Sequence, residues 1–200
     1  MTAARLLLVR HAEVDERMRD RVFGRLDVAL SETGLAHADR IADALADETV
    51  AAVYSSPRRR ALDTARPLAR ARGLEPVVVD DLREIDFGEL EGLTIAEIDE
   101  RYPDAATWTT APAGAAFPGG ESVAALQERA VRAVRAIAGR HAGETVAIFS
   151  HAVTIRTILA DALTMPLDGL FRLDAVHGGI SVVEWHDGAP HVRTVNARRL

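Results

Sequence analysis

The sequence predicts an α/β protein, a three-layer sandwich with a mostly parallel central sheet and helices on both faces. Two observations lead there. Apolar runs of strand length alternate with longer stretches of helical periodicity through most of the chain. The runs Leu6-Leu7-Leu8-Val9 and Val146-Ala147-Ile148-Phe149 are apolar at every position, as strands covered on both faces are. With 200 residues, 48% of them hydrophobic and 27% charged, the chain is long and apolar enough to bury one core. No repeat or linker interrupts it, so a single domain over residues 1–200 is expected.

Each element has its own signal. Residues 6–9 make the first strand, and an arginine-rich polar loop follows as far as Asp27. Ser31 is placed as an N-cap, and Leu35, Ala38, Ile41, Ala42 and Leu45 share one helical stripe. Residues 50–54 read as a second strand. Ser56-Pro57 reads as a cap with proline at the first helical position. Ala61, Leu62, Ala65, Leu68 and Ala69 then form a buried helix face that Gly73 ends. Residues 76–79 make a short third strand. From Asp80 to Gly120 the chain is irregular, with a short helix over 95–102 and a cap-like segment around residues 93–121. Ser122 caps a long helix with Val123, Leu126, Ala130, Val134 and Ile137 on its inner face and Arg129, Arg132 and Arg135 away from it. Residues 145–149 are another buried strand and 154–163 another helix. Residues 180–185 and 191–195 read as a hairpin closing across Asp187-Gly188.

Composition narrows the function classes. There is no cysteine, which excludes disulfides and thiolate metal sites and is compatible with a reducing cytoplasm. A formal net charge of −6 argues against a nucleic-acid partner, which needs a basic face. The apolar run near the N-terminus is too short for a signal-peptide core or a membrane span, so a cytoplasmic location away from membranes is expected. All 24 cationic residues are arginine. Any fixed cation in a site is therefore a guanidinium, whose fork suits phosphate or carboxylate.

Ligands of open α/β sheets bind beyond the carboxyl ends of the strands. Two strands deliver histidine to that edge, in Arg10-His11-Ala12 and in Ser150-His151-Ala152. Taken singly, a strand-end histidine is more often a hydrogen-bonded rim or core residue than a catalytic one. The same dipeptide at Arg140-His141 closes a helix before Gly143, where it is expected only to satisfy terminal carbonyls.

The surrounding sequence separates His11 from His141. Leu8-Val9-Arg10-His11-Ala12-Glu13 is similar to the signature of the histidine phosphatase superfamily, in its phosphoglycerate-mutase-like branch. The resemblance continues in order through Asp27 to Gly34, through Ser55-Ser56-Pro57-Arg58-Arg59-Arg60-Ala61 to Thr64-Ala65, and from Leu82-Arg83-Glu84 to Glu91-Gly92. Pro118-Gly119-Gly120-Glu121-Ser122 and Ser150-His151 complete it. Six segments in register cover nearly the whole chain. They imply a phosphoglycerate-mutase-like fold and a phosphomonoesterase, of the broad-specificity or alpha-ribazole type, with no metal and no cofactor. Its partner would be a small-molecule phosphomonoester; oligomeric state is not legible.

The resemblance also implies roles. His11 would be the nucleophile, with its other ring nitrogen donating to a backbone carbonyl. Arg10 and Arg60 would hold the equatorial phosphoryl oxygens. His151 would be a second imidazole donor, best as a cation beside a dianion. Glu84 would protonate the leaving alkoxide and later deprotonate water, with a nearby phosphate dianion raising its pKa. Arg58 and Arg59 read as a solvated face, and Glu121 as structural. Arg17 stands where the family has a phosphate-contacting Asn, and Ala12 where it more often has Gly. Trp108 and Phe117 either cover a leaving group or anchor the cap. The competing readings are a cofactor-dependent phosphoglycerate mutase, a degenerate binder without turnover, and a metallohydrolase. The last lacks any H-E-x-x-H spacing.

Overall fold

A computed structural model describes residues 3–186 and 189–200, apart from the Ala106 side chain. The apolar run at residues 6–9 is the middle of β1 (Ala4–Arg10), followed by α1 (Glu32–Ala44), β2 (Val50–Ser55), α2 (Arg59–Ala71) and β3 (Val77–Val78). The cap-like stretch holds α3 (Ile95–Arg101), α4 (Pro103–Ala106) and several 3₁₀ turns. After it come α5 (Val123–Arg140), β4 (Thr145–Ser150), α6 (Ala152–Ala162), β5 (Ile180–His186) and β6 (Ala189–Ala197).

The six strands form one sheet in the order β3-β2-β4-β1-β5-β6. The first four run parallel, and β5 and β6 add an antiparallel edge. Because successive side chains alternate across a sheet, β1 serves two cores. Leu6 and Leu8 pack with Val146, Ile148 and the inner faces of α5 and α6. Leu7 and Val9 pack with Ala147, Phe149 and the inner faces of α1 and α2. This is the expected three-layer sandwich, with helices on both faces. Among the described residues no helix is long and apolar enough to cross a membrane.

A third cluster lies in the cap. Phe87, Trp108 and Phe117 meet edge to face at 5.0–5.7 Å between ring centroids, over Val123 and Leu126 of α5 and Val153 of α6. Trp108 and Phe117 are thus buried anchors of the segment. Gly88, at φ +55°, lets it close: a Cβ there would stand 2.1 Å from the Pro118 carbonyl oxygen.

Several local expectations need correction. α2 begins at Arg59 with Arg58 at its N-cap position, later than Ser56-Pro57, because the Ser56 hydroxyl is engaged elsewhere. α6 begins at Ala152, two residues earlier than expected, which makes His151 its N-cap. β3 is only Val77–Val78, paired on one side and exposed. Leu35 faces solvent, leaving Ala38, Ile41 and Leu45 to bury that helix. Arg129 is buried, not set away from the core. His141 caps α5 but turns its ring to the Tyr54 hydroxyl (2.9 Å) and the Glu144 carboxylate (2.7 Å) instead of the terminal carbonyls. The Asp187-Gly188 turn lies outside the described residues; β5 and β6 do pair antiparallel.

Candidate active site

β1 and β4 are neighbours in parallel register, Arg10 opposite Ser150, so their two histidines leave the sheet at the same level. The His11 amide donates to the Ser150 carbonyl at 3.0 Å. The two imidazole rings stand 5.3 Å apart between centroids and are both buried.

The His11 Nδ1 lies 2.8 Å from its neighbour's carbonyl, that of Ala12. A carbonyl can only accept, so Nδ1 carries the proton and the Nε2 lone pair is free. Burial pushes the His11 pKa well below its ordinary value, and the charges of Arg10 and Arg60 push it further. The ring is neutral. The Ala12 amide donates to Thr64 Oγ1 at 3.0 Å, and Thr64 donates in turn to the Arg60 carbonyl. That ties the loop after β1 to the first turn of α2.

Arg60 has no exposed surface. It donates to the carbonyls of Leu26 (2.8 Å) and Gly24 (2.9 Å) and through Nε to His151 Nδ1 (3.2 Å), with Phe23 against its face. Since His151 Nδ1 accepts, its Nε2 carries the proton and donates to Ser56 Oγ at 2.7 Å. Burial, then Arg60, holds the His151 pKa well down. His151 is therefore a neutral donor here, where a cation was expected; a phosphate dianion would reverse that field.

Arg10 is held by the Ala175 carbonyl (2.5 Å) and His177 Nε2 (2.9 Å), while its own Nε is buried without a partner among the described residues. An unsatisfied buried N–H is costly unless a ligand completes it. Burial lowers both Arg10 and Arg60 to about 10, with Glu84 the strongest opposing influence. Both remain guanidinium cations at neutral pH.

Glu84 lies over the start of α6. Its Oε1 accepts from the Thr154 amide (3.1 Å), the Thr154 hydroxyl (3.0 Å) and the Ile85 amide (3.1 Å). Its Oε2 accepts only from the Val153 amide (3.1 Å) and keeps room for a proton. The helix that His151 caps thus presents its positive end to the carboxylate.

The structure brings His11, Arg10, Arg60, His151 and Glu84 to one edge of the sheet. It does not bring Arg17, which is exposed and forked onto Asp15 at 2.9 and 2.6 Å. Arg58 is half-buried with an unpartnered Nε, and its charge reaches Arg60 and His151, so the solvated-face reading fails for it. The reading holds for Arg59, which is exposed and paired with Asp63. The sequence reading also missed His177, whose ring stands 5.3 Å from His11, and used Ser56 as a cap. The signal for Ser56 was its place in the motif; for His177 the Gly-Gly that follows it was a faint one.

Comparison with known proteins agrees with this geometry. The sequence model of the histidine phosphatase superfamily (branch 1) matches residues 6–198. A mycobacterial protein called Bifunctional protein Rv2228c, from Mycobacterium tuberculosis, is 40% identical over 98% of this chain, and the chain spans 54% of its length. Phosphoserine phosphatase 1 of Hydrogenobacter thermophilus is 34% identical over 92% of this chain and 87% of its own. The solved structure of Bacillus stearothermophilus YhfR superposes with a TM-score of 0.91 at 34% identity, covering 99% of this chain and 98% of its own.

Proposed function

The chain belongs to the histidine phosphatase superfamily, and on that premise we propose that it hydrolyses phosphomonoesters of small metabolites through a phosphohistidine on His11. The observation that carries this is the His11 ring itself. It is buried, neutral and pinned at Nδ1 by the Ala12 carbonyl, and its pKa feels the charges of Arg10 and Arg60.

In this reading the Nε2 lone pair attacks phosphorus while the bond to the leaving oxygen breaks. Arg10 and Arg60 hold the equatorial oxygens, where the transition-state charge spreads, and His151 joins them as its Nε2–H turns from Ser56 Oγ to the phosphoryl group. The Ala12 carbonyl keeps its bond to Nδ1–H as the ring gains positive charge. With the substrate dianion beside it, Glu84 takes up a proton at Oε2 and gives it to the leaving oxygen. The resulting carboxylate, stabilised by the four donors around it, then takes a proton from the water that cleaves the P–N bond. His11 returns neutral and Glu84 protonated, with alcohol and phosphate as products.

The finer assignment is a histidine acid-type phosphatase, a single catalytic domain over residues 1–200 with its cap around residues 93–121. The cysteine-free sequence suits a reducing cytoplasm, the compartment this reading assigns. The phosphoserine phosphatase relative supports a small phosphorylated substrate.

The decisive experiment substitutes His11→Ala. Turnover of a panel of phosphomonoesters should vanish while circular dichroism and the urea midpoint stay near wild type. Quenching the wild-type enzyme at alkaline pH during turnover should place the phosphoryl group on His11 by mass spectrometry. Label on another residue, or turnover by His11→Ala, overturns the assignment.

A further inference from the structure

The loop before β5 takes both terminal nitrogens of Arg10. Nη1 donates to the Ala175 carbonyl at 2.5 Å and Nη2 to His177 Nε2 at 2.9 Å. The same loop is tied to the backbone of the catalytic strand end. The Gly178 amide donates to the Arg10 and His11 carbonyls at 3.1 and 3.3 Å, and the Arg10 amide donates to the Gly179 carbonyl at 3.1 Å. From β6 the Asn196 side-chain oxygen accepts from the Val176 amide at 2.8 Å. Asn196 stands at φ +56°, a conformation that costs a non-glycine residue energy and persists where the surroundings require it. A Cβ on Gly178, at φ +70°, would stand 2.5 Å from the His37 ring, so the turn closes this tightly only with glycine there. The loop is thus a built part of the site.

A guanidinium donates and never accepts, so His177 Nε2 presents its lone pair and the ring proton sits on Nδ1. Burial, and then the charges of Arg10 and His37, lowers the His177 pKa to about 4, so the lone pair is free at neutral pH. The Ala175 carbonyl alone would hold one end of the guanidinium and let its plane swing about the Nε bond. With Nη2 held as well, the plane is fixed, and Nε is left as a buried donor without a partner among the described residues. We infer that His177 is a positioning residue for Arg10: it holds the guanidinium plane in the orientation in which Arg10 meets the phosphoryl group. The inference rests on the phosphoryl-binding role proposed above for Arg10. Donors set in place beforehand spare the reorganisation that a mobile arginine undergoes when the dianion arrives.

The test measures binding of orthovanadate, a phosphoryl mimic, by calorimetry, which needs no turnover. His177→Leu removes the acceptor and should weaken binding ~10- to 100-fold, the worth of a hydrogen bond to a charged group. His177→Gln, whose amide oxygen can accept in its place, should recover most of that loss. If His177→Leu does not fold by circular dichroism, His177→Asn replaces it, since its shorter side chain brings no acceptor to Arg10. The loss must also pass through Arg10. In an Arg10→Lys background there is no guanidinium plane to hold, and the same substitution should then weaken vanadate by less than about twofold. Equal losses in both backgrounds overturn the inference, because a merely structural histidine, or one that touches the ligand itself, would give them. Unchanged binding without the acceptor, or a glutamine variant no better than leucine, overturns it too. If the wild-type protein shows the Arg10-dependent loss yet hydrolyses no phosphomonoester, the hydrolase reading fails and the positioning role stands.

Discussion

At the scale of single residues the proposed chemistry divides between His11, kept neutral by burial, and Glu84 over the start of α6. Glu84 has every donor around it directed at a carboxylate, and Oε2 carries the lighter share. Glu84→Gln should slow hydrolysis of alkyl phosphates by ~10²–10⁴, the usual worth of a general acid. Aryl phosphates, whose leaving groups need less protonation, should lose less in the phosphorylation step. Stopped-flow bursts with matched alkyl and aryl esters would show it; equal losses would remove Glu84 as proton donor. The imidazoles give a second prediction. Burial is the largest cause holding His11, His151 and His177 below the ordinary histidine value, His177 at about 4. Unfolded histidine protonates near ~6.5, so below that pH the unfolded chain binds more protons than the folded one. The stability these groups contribute is complete above ~6.5 and declines as pH falls toward the folded values. Urea midpoints should therefore drop between pH 7.5 and 5, and His177→Gln should flatten the slope. An unchanged slope would mean that His177 is not kept neutral.

At the scale of elements, the segment carrying Glu84 is held by α5 through Arg129, a residue that the helical stripe sets on the outer face. Arg129 of α5 donates to the carbonyls of Asp81 (2.8 Å), Arg83 (2.8 Å) and Glu84 (3.0 Å) and pairs with Glu121 through Nε and a terminal nitrogen. The Glu121 carboxylate also accepts from the Asp86 amide at 3.0 Å. One buried ion pair thus clamps residues 81–86 from both ends. Arg129→Met leaves three carbonyls and a carboxylate short of donors. It should cost about 3 kcal/mol in urea unfolding, in the range for breaking a buried pair. In the folded variant kcat for alkyl phosphates should fall, because Glu84 loses its register. A change under about 0.5 kcal/mol, the scale of ordinary surface substitutions, would show that the clamp is not what holds the loop.

At the scale of the whole molecule the question is hydrolysis against phosphoryl return. A mutase shields its phosphoenzyme from water and grips a second anion while the substrate reorients. Here the cap is packed by Phe87, Trp108 and Phe117, carries no arginine between Arg101 and Arg129, and has buried Ile85 directly after Glu84. The first-loop cations that could compensate are engaged with acidic residues: Arg17 with Asp15, Arg19 with Glu13, Arg21 with Glu97 and Arg25 with Asp86. Without such clamps, water should win. Incubation with 3-phosphoglycerate and catalytic 2,3-bisphosphoglycerate should release phosphate faster than 2-phosphoglycerate forms. Interconversion outrunning release would reverse the conclusion.

The layered fold, the strand-end histidines and their family were legible in the sequence, because they rest on local periodicity and on motifs a few residues long. Apolar runs at residues 6–9 and 146–149 specify buried strands wherever they fall, and Ser31 and Ser122 cap the helices they precede. What only the tertiary structure decided is which side chains meet across long sequence separations. That His11 is pinned by its neighbour's carbonyl depends on the chain's turn after β1. That His151 is neutral depends on its burial first and then on the charge of Arg60, ninety-one residues away, which also donates to it. Arg129 and Arg58 escape the pattern for the same reason: a charge is read as solvated unless its surroundings are known, and burial by segments distant in sequence sets both. Local pattern determines elements because backbone hydrogen bonding and burial act over neighbouring residues. Site electrostatics depend on burial and on charges brought close by folding, and only three-dimensional packing sets those.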